Sequence, residues 1–367
     1  MKKEIVRFNN SNNAEFIQAL RQNVNNYFKD NNISKYGNLN MHLKTAFMIL
    51  LYFSPLVLML SGAIESIGMM YFMWFLMSLG MAGIGLSVMH DANHGSYSNN
   101  RKVNAFFGFI VNFLGAYHTN WIIQHNVLHH SFTNIEGHDE DITKPVMRFS
   151  PEQPHKKVFK YQAFYAPIFY GLLTIYWLLA KDIDQTIRYG KRGLLKGQKK
   201  TTKSALAEVI FHKTWYVCLT LVLPLIILDI PWGHVVIGFL AMQFISGLIL
   251  ALIFQSAHVL EETHFYTPGE NGSMENNWAI HQLQTTANFA TGSKVFTWLV
   301  GGLNHQIEHH LFPHVCHVHY GSISKIIQKT AKDYSVPYHH HRTFYQALKS
   351  HFTLLNDLGR NKDMVTA

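Results

Sequence analysis

Three long stretches without a charged residue constrain this chain more than any other feature. Residues 45–64, 66–89 and 235–257 contain no Asp, Glu, Lys or Arg, and they run for 20, 24 and 23 residues. A helix needs about 20 predominantly apolar residues to cross the hydrocarbon core of a bilayer. Charged residues make up 14% of the chain, whereas about a quarter is typical of soluble domains. The sequence therefore predicts an all-α integral membrane protein.

Two further apolar runs are ambiguous, and loop charge separates them. Residues 161–180 are uncharged for 20 positions, whereas residues 214–228 are uncharged for 15. Residues 181–203 hold eight Lys and Arg against two Asp, a bias typical of a cytoplasmic loop. If 161–180 crossed the membrane, this loop would face away from the histidine-rich segment 90–160. We therefore expect 161–180 to lie in the interface and 214–228 to cross.

The three long runs and residues 214–228 together predict four transmembrane helices in two hairpins. The two external loops, residues 61–66 and 229–233, contain no Lys or Arg. Both termini and every histidine cluster then fall on the cytoplasmic side, where a helical cap would carry them. We expect a polar N-terminal segment (1–40), one membrane domain (41–350) and a C-terminal tail (351–367).

Charge and cysteine content narrow the partners and the compartment. The net charge is +9, but the basic residues flank the apolar runs, so anionic lipid head groups are a simpler partner than nucleic acid. Cys218 and Cys316 are the two cysteines, too few for a disulfide framework, which fits a reducing compartment. The polar, asparagine-rich first 40 residues do not resemble a cleavable signal peptide.

The 24 histidines are unevenly spread, and three clusters have helical spacing. "HDANH" follows the second apolar run, "HNVLHH" lies further along, and "QIEHH" follows a Gly-Gly break. Residues four apart share a helix face, so the paired imidazoles of each cluster can point at one centre. "QSAHVLEE" adds a histidine directly after the fourth span. The candidate metal ligands are His90, His94, His125, His129, His130, His258, His309 and His310.

Eight imidazoles exceed what one ion needs, so two metals are indicated. Imidazole suits Zn, Cu, Fe and Ni, so ligand type alone does not choose among them. A single HxxxH pair is more often ordinary packing than a ligand pair. Three clusters beside membrane segments, all on one side by an independent charge argument, favour a metal site.

Other histidines are weaker candidates. We expect His339 to His341 to form a solvated tract without a metal role. The group His314, Cys316, His317 and His319 resembles a zinc site in composition, but it lacks regular spacing, which favours a structural role. In "GHDEDI", the side chains of His138, Asp139 and Asp141 could orient ligand imidazoles by accepting their second N–H, or could cap the loop.

At this point the chain strongly resembles the membrane fatty acid desaturase family. "HDANH", "HNVLHH" and "QIEHH" match its three histidine boxes in order, and the resemblance runs from about residue 40 onward. Gln306 in place of the first histidine of the third box resembles the front-end group, which desaturates between an existing double bond and the carboxyl end. "TTANF" (285–289), "GGLN" and "HHLFP" look like that group as well.

The resemblance implies an oxygen-dependent desaturase that introduces a cis double bond into an acyl chain carried on CoA or a lipid. It implies two irons held by the eight histidines, with O₂ as co-substrate. No "HPGG" haem motif is found, so a separate electron donor such as ferredoxin or cytochrome b5 is expected. Weak ligand or supporting roles would fall to Gln306, Asn304, Glu308, Asp139, Asp141 and Gln255.

Two other functions remain open from the residues alone. A di-iron lipid hydroxylase or ketolase could use the same scaffold. A histidine-rich metal transporter would also be membranous, although transport sites lie near the bilayer midplane between broken helices. Here the clusters follow the ends of spans.

Overall fold

A computed structural model describes residues 6–362 as a mainly helical protein with short strands. The helices are α1 (Ala14–Asp30), α2 (Leu39–Leu60), α3 (Ile67–Asn93), α4 (Arg101–Phe109), α5 (His118–Ile122), α6 (His130–Phe132), α7 (Lys157–Gly171), α8 (Leu173–Lys191), α9 (Thr202–Ile227), α10 (Trp232–His258), α11 (Trp278–Thr285), α12 (Lys294–Leu299), α13 (Gln306–Leu311), α14 (Tyr320–Asp333) and α15 (Phe344–Gly359). The strands are β1 (Arg7–Phe8), β2 (Thr143–Lys144), β3 (Met147–Arg148), β4 (Ser273–Met274), β5 (Ala287–Phe289) and β6 (His339–His341).

Four helices are long and apolar enough to cross a membrane, which confirms the predicted number. They are α2, α3, α9 and α10, with lengths of 22, 27, 26 and 27 residues. The pairing into two hairpins and the side of the membrane that each end faces stay predictions.

The third of these helices begins twelve residues earlier than its uncharged run indicated. A capping box formed by Thr201 and Ser204 starts α9 at Thr202. Lys213 lies inside the helix, where its ammonium donates to the carbonyls of Gly115 and Trp177 at 2.9 and 2.7 Å and pairs with Asp182 at 2.6 Å. Charged residues with such partners can lie within a long apolar helix, so an uncharged run underestimates its length.

The ambiguous run at residues 161–180 does not form one straight helix. Helices α7 and α8 meet at Leu172 and are bent by 60°, and α7 contains Pro167, which removes a backbone donor. The pair is either a broken span or a re-entrant segment by its length and composition. Its predicted interfacial position stays a prediction.

The chain divides into two compact units, each built from separated segments. The first comprises residues 1–37, 124–166 and 253–367, and the second comprises 38–123 and 167–252. The unit boundaries fall within α7 and α10. The second unit holds α2, α3 and α9, and the first holds most of the histidine clusters.

In the first unit, α1 and α14 pack antiparallel. Phe16 stacks edge-on against Tyr334, and Asn23 donates to Thr330 at 3.1 Å, seven residues further along α1. Leu20 of α1 and Ile323 of α14 lie in one buried apolar cluster. Part of the predicted polar N-terminal segment is therefore a packed helix. Residue 350, the predicted end of the main domain, lies inside α15.

Short parallel strands join distant parts of this unit. β5 pairs with β6, matching Asn288 with His340, and β1 pairs with β4. The β5–β6 pair lies beside α13, since Asn288 of β5 accepts a 2.9 Å hydrogen bond from the Ile307 amide. The strands thus fix the helix that carries the third histidine cluster.

In the second unit, α2 and α3 approach closely at Gly80. A Cβ placed on Gly80 would lie 2.6 Å from the backbone nitrogen of Tyr52 and 2.8 Å from the carbonyl carbon of Leu51. Because the obstacle is backbone rather than a flexible side chain, the helices would have to separate to accept any larger residue.

We predict that Gly80→Ala destabilises the protein by about 1–3 kcal/mol through overpacking. Gly68→Ala on the same helix is the control, because nothing lies within 4 Å of its added Cβ. Thermal unfolding of both variants in detergent would test this. Equal midpoints for Gly80→Ala and Gly68→Ala would contradict the close approach.

Candidate metal centre

Six of the eight predicted ligands lie in the first unit, and the structure brings their imidazoles together. Each is at most 6% exposed, and contacting rings have centroids 4.4 to 5.7 Å apart. Their ligand atoms form two groups made of histidines alone within 4.8 Å, and a third group joins His125 and His129 to Asp141. One all-histidine group is His129, His258 and His310, and the other is His130, His309 and His310.

A π-helical segment arranges the second histidine cluster. Residues Ile123–His129 form a π-helix between α5 and α6, in which the hydrogen-bonding step is five residues instead of four. His125 and His130, five apart, consequently point the same way, with their Nε2 atoms 3.2 Å apart. The α-helical spacing assumed from the sequence put His130 about 100° away from its neighbour and missed this convergence.

Each of four imidazoles is held through Nδ1 by a specific neighbour. The carboxylate of Asp139 lies 3.1 Å from His129, the carbonyl of Thr285 lies 3.1 Å from His258, and the side-chain oxygen of Gln282 lies 2.7 Å from His310. The phenol oxygen of Tyr320 lies 3.2 Å from His309. With Nδ1 engaged, the Nε2 atom is the one left to bind a metal, and ring rotation is restricted.

Asp139 is the buried carboxylate of this arrangement. It is 1% exposed and also accepts from the backbone amides of Asn134 at 3.0 Å and Asp141 at 2.8 Å. Asp141 lies 3.6 Å from His129 and is 31% exposed, and Gln124 donates to it. Sequence reasoning named both carboxylates as candidates for orienting ligand imidazoles or capping the loop. Both lie near His129, with Asp139 the closer, and their role at a metal centre stays a prediction.

Sequence reasoning missed Gln282, Thr285 and Tyr320. Gln282 lies on α11 and also accepts from Thr133 at 2.9 Å. These residues belong to no histidine cluster, and their partner is known only once α11 and α14 are packed against the cluster. Thr285 is the first residue of "TTANF", so a family motif was the available signal for it.

Gln306 and His258 present buried polar atoms toward the centre. Gln306 is fully buried and its carboxamide faces the imidazole of His258. By geometric criteria, neither amide atom of Gln306 nor Nε2 of His258 makes a hydrogen bond to a residue that the structure describes. An orphaned buried polar group is costly, so a missing partner such as a metal or bound water fits here.

Glu308 anchors α13 from the other side. Its carboxylate is fully buried and accepts from Asn288 at 2.7 Å and from the phenol of Tyr338 at 2.8 Å. Burial and the Glu308 charge raise the pKa of Tyr338, which keeps this phenol protonated as a donor. Asn304 donates to Thr297 at 2.9 Å. Both residues support the helix, and the structure shows no ligand role for either.

The remaining predicted ligands, His90 and His94, lie in the second unit at the end of α3. Their rings are 4.8 Å apart between centroids, so the predicted shared face exists. Both contact Trp121, at 5.6 and 6.1 Å. A π-helical segment, Ile84–Val88, precedes them. His90 is 1% exposed.

The tract His339 to His341 is only partly solvated, so the prediction of a solvated tract was wrong for two of its three residues. The expected lack of a metal role stays a prediction. It forms strand β6 against β5, with His339 and His341 half-buried. His341 pairs with Glu262, and His340 lies 2.9 Å from the Thr291 hydroxyl. Three adjacent histidines alternate sides in a strand, which lets two of them pack while the middle one stays exposed.

Other candidate residues contact backbone carbonyls or are buried in the protein. His319 lies 3.1 Å from the carbonyl of Tyr36, and Cys316 is fully buried. His138 lies 3.3 Å from the carbonyl of Glu136. Gln255 is half-buried on α10.

Buried imidazoles outside the centre show how this environment acts on histidine. His281 and His351 are at most 1% exposed, and burial lowers the pKa of each to about 4. Desolvation disfavours the imidazolium. Burial therefore keeps these two imidazoles neutral at physiological pH, the form of imidazole that binds metal.

Comparison with known proteins gives one consistent result. A family model described as fatty acid desaturase matches residues 67–342. The chain is 36% identical to an sn-1 linoleoyl-lipid 6-desaturase of Synechocystis sp., covering 94% of this chain and 96% of that protein. It is 35% identical to an acyl-lipid (8-3)-desaturase of Physcomitrium patens, covering 98% and 74% of the two chains. A further sn-1 linoleoyl-lipid 6-desaturase, from Arthrospira platensis, is 32% identical over 95% and 94%.

We predict that Asp139→Asn lowers metal affinity by about 10- to 100-fold, the usual cost of losing a partner of a ligating histidine. An amide would present a donor or a weaker acceptor to His129. Asp30→Asn, an exposed change on α1, is the control. Metal titration of the purified apoproteins measures the effect, and equal affinities would remove Asp139 from the centre.

Proposed function

The chain belongs to the fatty acid desaturase family, and we propose that it introduces a cis double bond into the acyl chain of a membrane lipid, using O₂ and an external electron donor. The observation that carries this proposal is the buried cluster of imidazoles within a protein that has four membrane-spanning candidates. The relatives that span nearly all of this chain are named for acyl-lipid substrates, which favours a lipid carrier over CoA.

We propose two iron ions as the metals, held by the eight histidines of the three boxes and His258. The donor set fits, because imidazoles, most of them buried, supply the ligand atoms and imidazole binds iron well. When bound, the irons would supply the activation of O₂ that removal of hydrogen from an unactivated methylene pair requires. The lipid supplies two electrons and the external donor two, which balances reduction of O₂ to water.

The chain's own residues then have defined tasks. Asp139, Gln282 and the Thr285 carbonyl hold imidazoles so that Nε2 faces the centre. The Gln306 amide, facing His258, would orient a bound water or act as a weak ligand. Burial of the cluster keeps bulk water away from reactive species.

We propose that the centre and both termini face the cytoplasm, with front-end regioselectivity. The sidedness rests on the basic loop at 181–203 and the uncharged loops at 61–66 and 229–233. The regioselectivity rests on Gln306 and on relatives named as 6- and (8-3)-desaturases. A ferredoxin or cytochrome b5 would deliver electrons.

The products formed distinguish the proposed desaturase from the two alternative functions. A hydroxylase or ketolase on this scaffold would leave oxygen in the lipid, whereas a desaturase releases it as water. A transporter would move metal without changing lipids. The chain can be expressed in a host fed defined polyunsaturated acids, and its lipids analysed by mass spectrometry.

We predict a product two mass units lighter than its substrate, with the new bond between an existing double bond and the carboxyl end. Alanine at His129, His258 or His310 should abolish it and lower the iron content from about two per chain. His234→Ala on α10 is a matched control, because His234 bonds Tyr71 at 3.0 Å and is no proposed ligand. Iron content unchanged in the three ligand variants would contradict the ligand set.

We predict that Gln306→Ala retains most of the iron but loses most turnover, because an amide oxygen is a weaker donor than imidazole. Gln22→Ala, exposed on α1, is the control. Iron analysis and product formation would be compared for both variants. Full activity of Gln306→Ala would show that the residue has no role in turnover and would weaken the front-end assignment.

A further inference from the structure

Helix α14 begins at a residue that contacts a candidate metal ligand. Tyr320, its first residue, is 1% exposed, and its phenol oxygen lies 3.2 Å from Nδ1 of His309. The next two residues, Gly321 and Ser322, are exposed. The side chain that contacts this ligand is therefore followed directly in the chain by exposed positions.

The exposed face of α14 carries a stripe of lysines. Lys325, Lys329 and Lys332 follow at steps of four and three residues, which puts them on one helix face. All three are exposed, and none forms an ion pair with another residue that the structure describes. At 1.5 Å per residue, the stripe ends about 18 Å from Tyr320.

The opposite face of α14 is occupied. Ile323, Ile327 and Ala331 are fully buried, in one cluster with Leu20 and Val24 of α1. The lysine face is therefore fixed in position by a packed core, and it remains available to a partner.

This face is unsuited to lying on a membrane. A helix that binds the bilayer interface presents large apolar side chains to the lipid. The exposed positions of α14 hold Gly321, Ser322, Gln328, Asp333 and the three lysines, and none is apolar. A partner dissolved in water and carrying negative charge fits better.

We propose that α14 is the docking site of the electron donor, a small acidic one-electron carrier protein, and that Tyr320 connects this surface to His309. The proposal rests on the proposed function, which requires a separate donor. Redox encounters bury less than about 1,200 Å² in total and are steered by charge, which suits a short lysine stripe.

The electrons balance. Each reduced carrier would lose one electron, which the centre, with its metals bound, would accept. Two encounters supply the two external electrons of each double bond. Tyr320 gains and loses no atoms, and acts as a positioning residue that holds His309 and shortens the gap to the carrier.

The binding test uses the whole protein in nanodiscs of zwitterionic lipid, with a plant-type [2Fe–2S] ferredoxin and a soluble cytochrome b5 as probes. The variant combines Lys325→Glu, Lys329→Glu and Lys332→Glu. The control combines Lys157→Glu, Lys160→Glu and Lys349→Glu, which are also exposed in the first unit and change the net charge equally. We expect the variant to weaken binding of at least one probe by about tenfold or more at low salt, with little effect in the control.

The electron-transfer test separates docking from chemistry. The lysine variant should form product normally with dithionite and a neutral mediator, and slowly with the carrier. Tyr320→Phe should bind the carrier like wild type, but its anaerobic iron reduction by the carrier, followed optically, should slow. Normal product formation with the chemical reductant also shows that each variant is folded.

Several outcomes overturn the proposal while leaving the proposed function intact. Equal carrier binding by the variant and the control would do so, as would weakened binding to anionic nanodiscs alone, which would assign the stripe to lipid. A triple variant that is inactive even with dithionite would indicate a structural role for the lysines. Carrier binding by the single variant Lys329→Glu would then decide whether the stripe is the docking site. If wild type forms no product with any reductant, the proposed function itself fails.

Discussion

The centre depends on fixing many neutral imidazoles in a space from which water is excluded. An imidazole has two nitrogens, and a buried ring with neither engaged would lose hydrogen bonds that water provided. Here Asp139, Thr285, Gln282 and Tyr320 each engage one nitrogen. These neighbours come from three separate segments of the chain, because Gln282 and Thr285 share α11. The cluster can therefore exist only when the surrounding fold is complete.

This requirement explains why six of the eight candidate ligands lie in a unit made of three sequence segments. Residues 124–166 and 253–367 bring the second and third histidine clusters, and α1 completes the apolar core beneath α14. The carboxylate of Glu308 extends the same logic, since it ties α13 to β5 and to Tyr338. Residues that never touch a metal thus determine where His309 and His310 point.

Much of this architecture could be predicted from the sequence where local composition and spacing determine it. Features that depend on contacts between distant residues could not be predicted. Uncharged runs long enough for a bilayer identified three of the four spanning candidates, and loop charge identified the fourth. The spacing of His90 and His94 on one face was correct. The start of α9 was misjudged, because Lys213 is satisfied by partners far away in sequence. Gln282 could not be found, because only tertiary packing brings it to His310. The strand at His339 to His341 was missed because its pairing partner lies some fifty residues away.

The π-helical segment at Ile123–His129 has a consequence for insertions and deletions. Compared with an α-helix, its wider turn accommodates one extra residue. The width of this turn therefore determines the direction in which the following side chains point around the helix axis. Deleting the extra residue would let the backbone relax into an ordinary α-helix with the following side chains pointing nearly as before. An inserted residue that the wide turn does not absorb would instead turn the following side chains by about 100°, and His130 would then point away from His125. Connecting loops tolerate changes in length. In this stretch, a change in length can alter the direction of every side chain that follows in the helix.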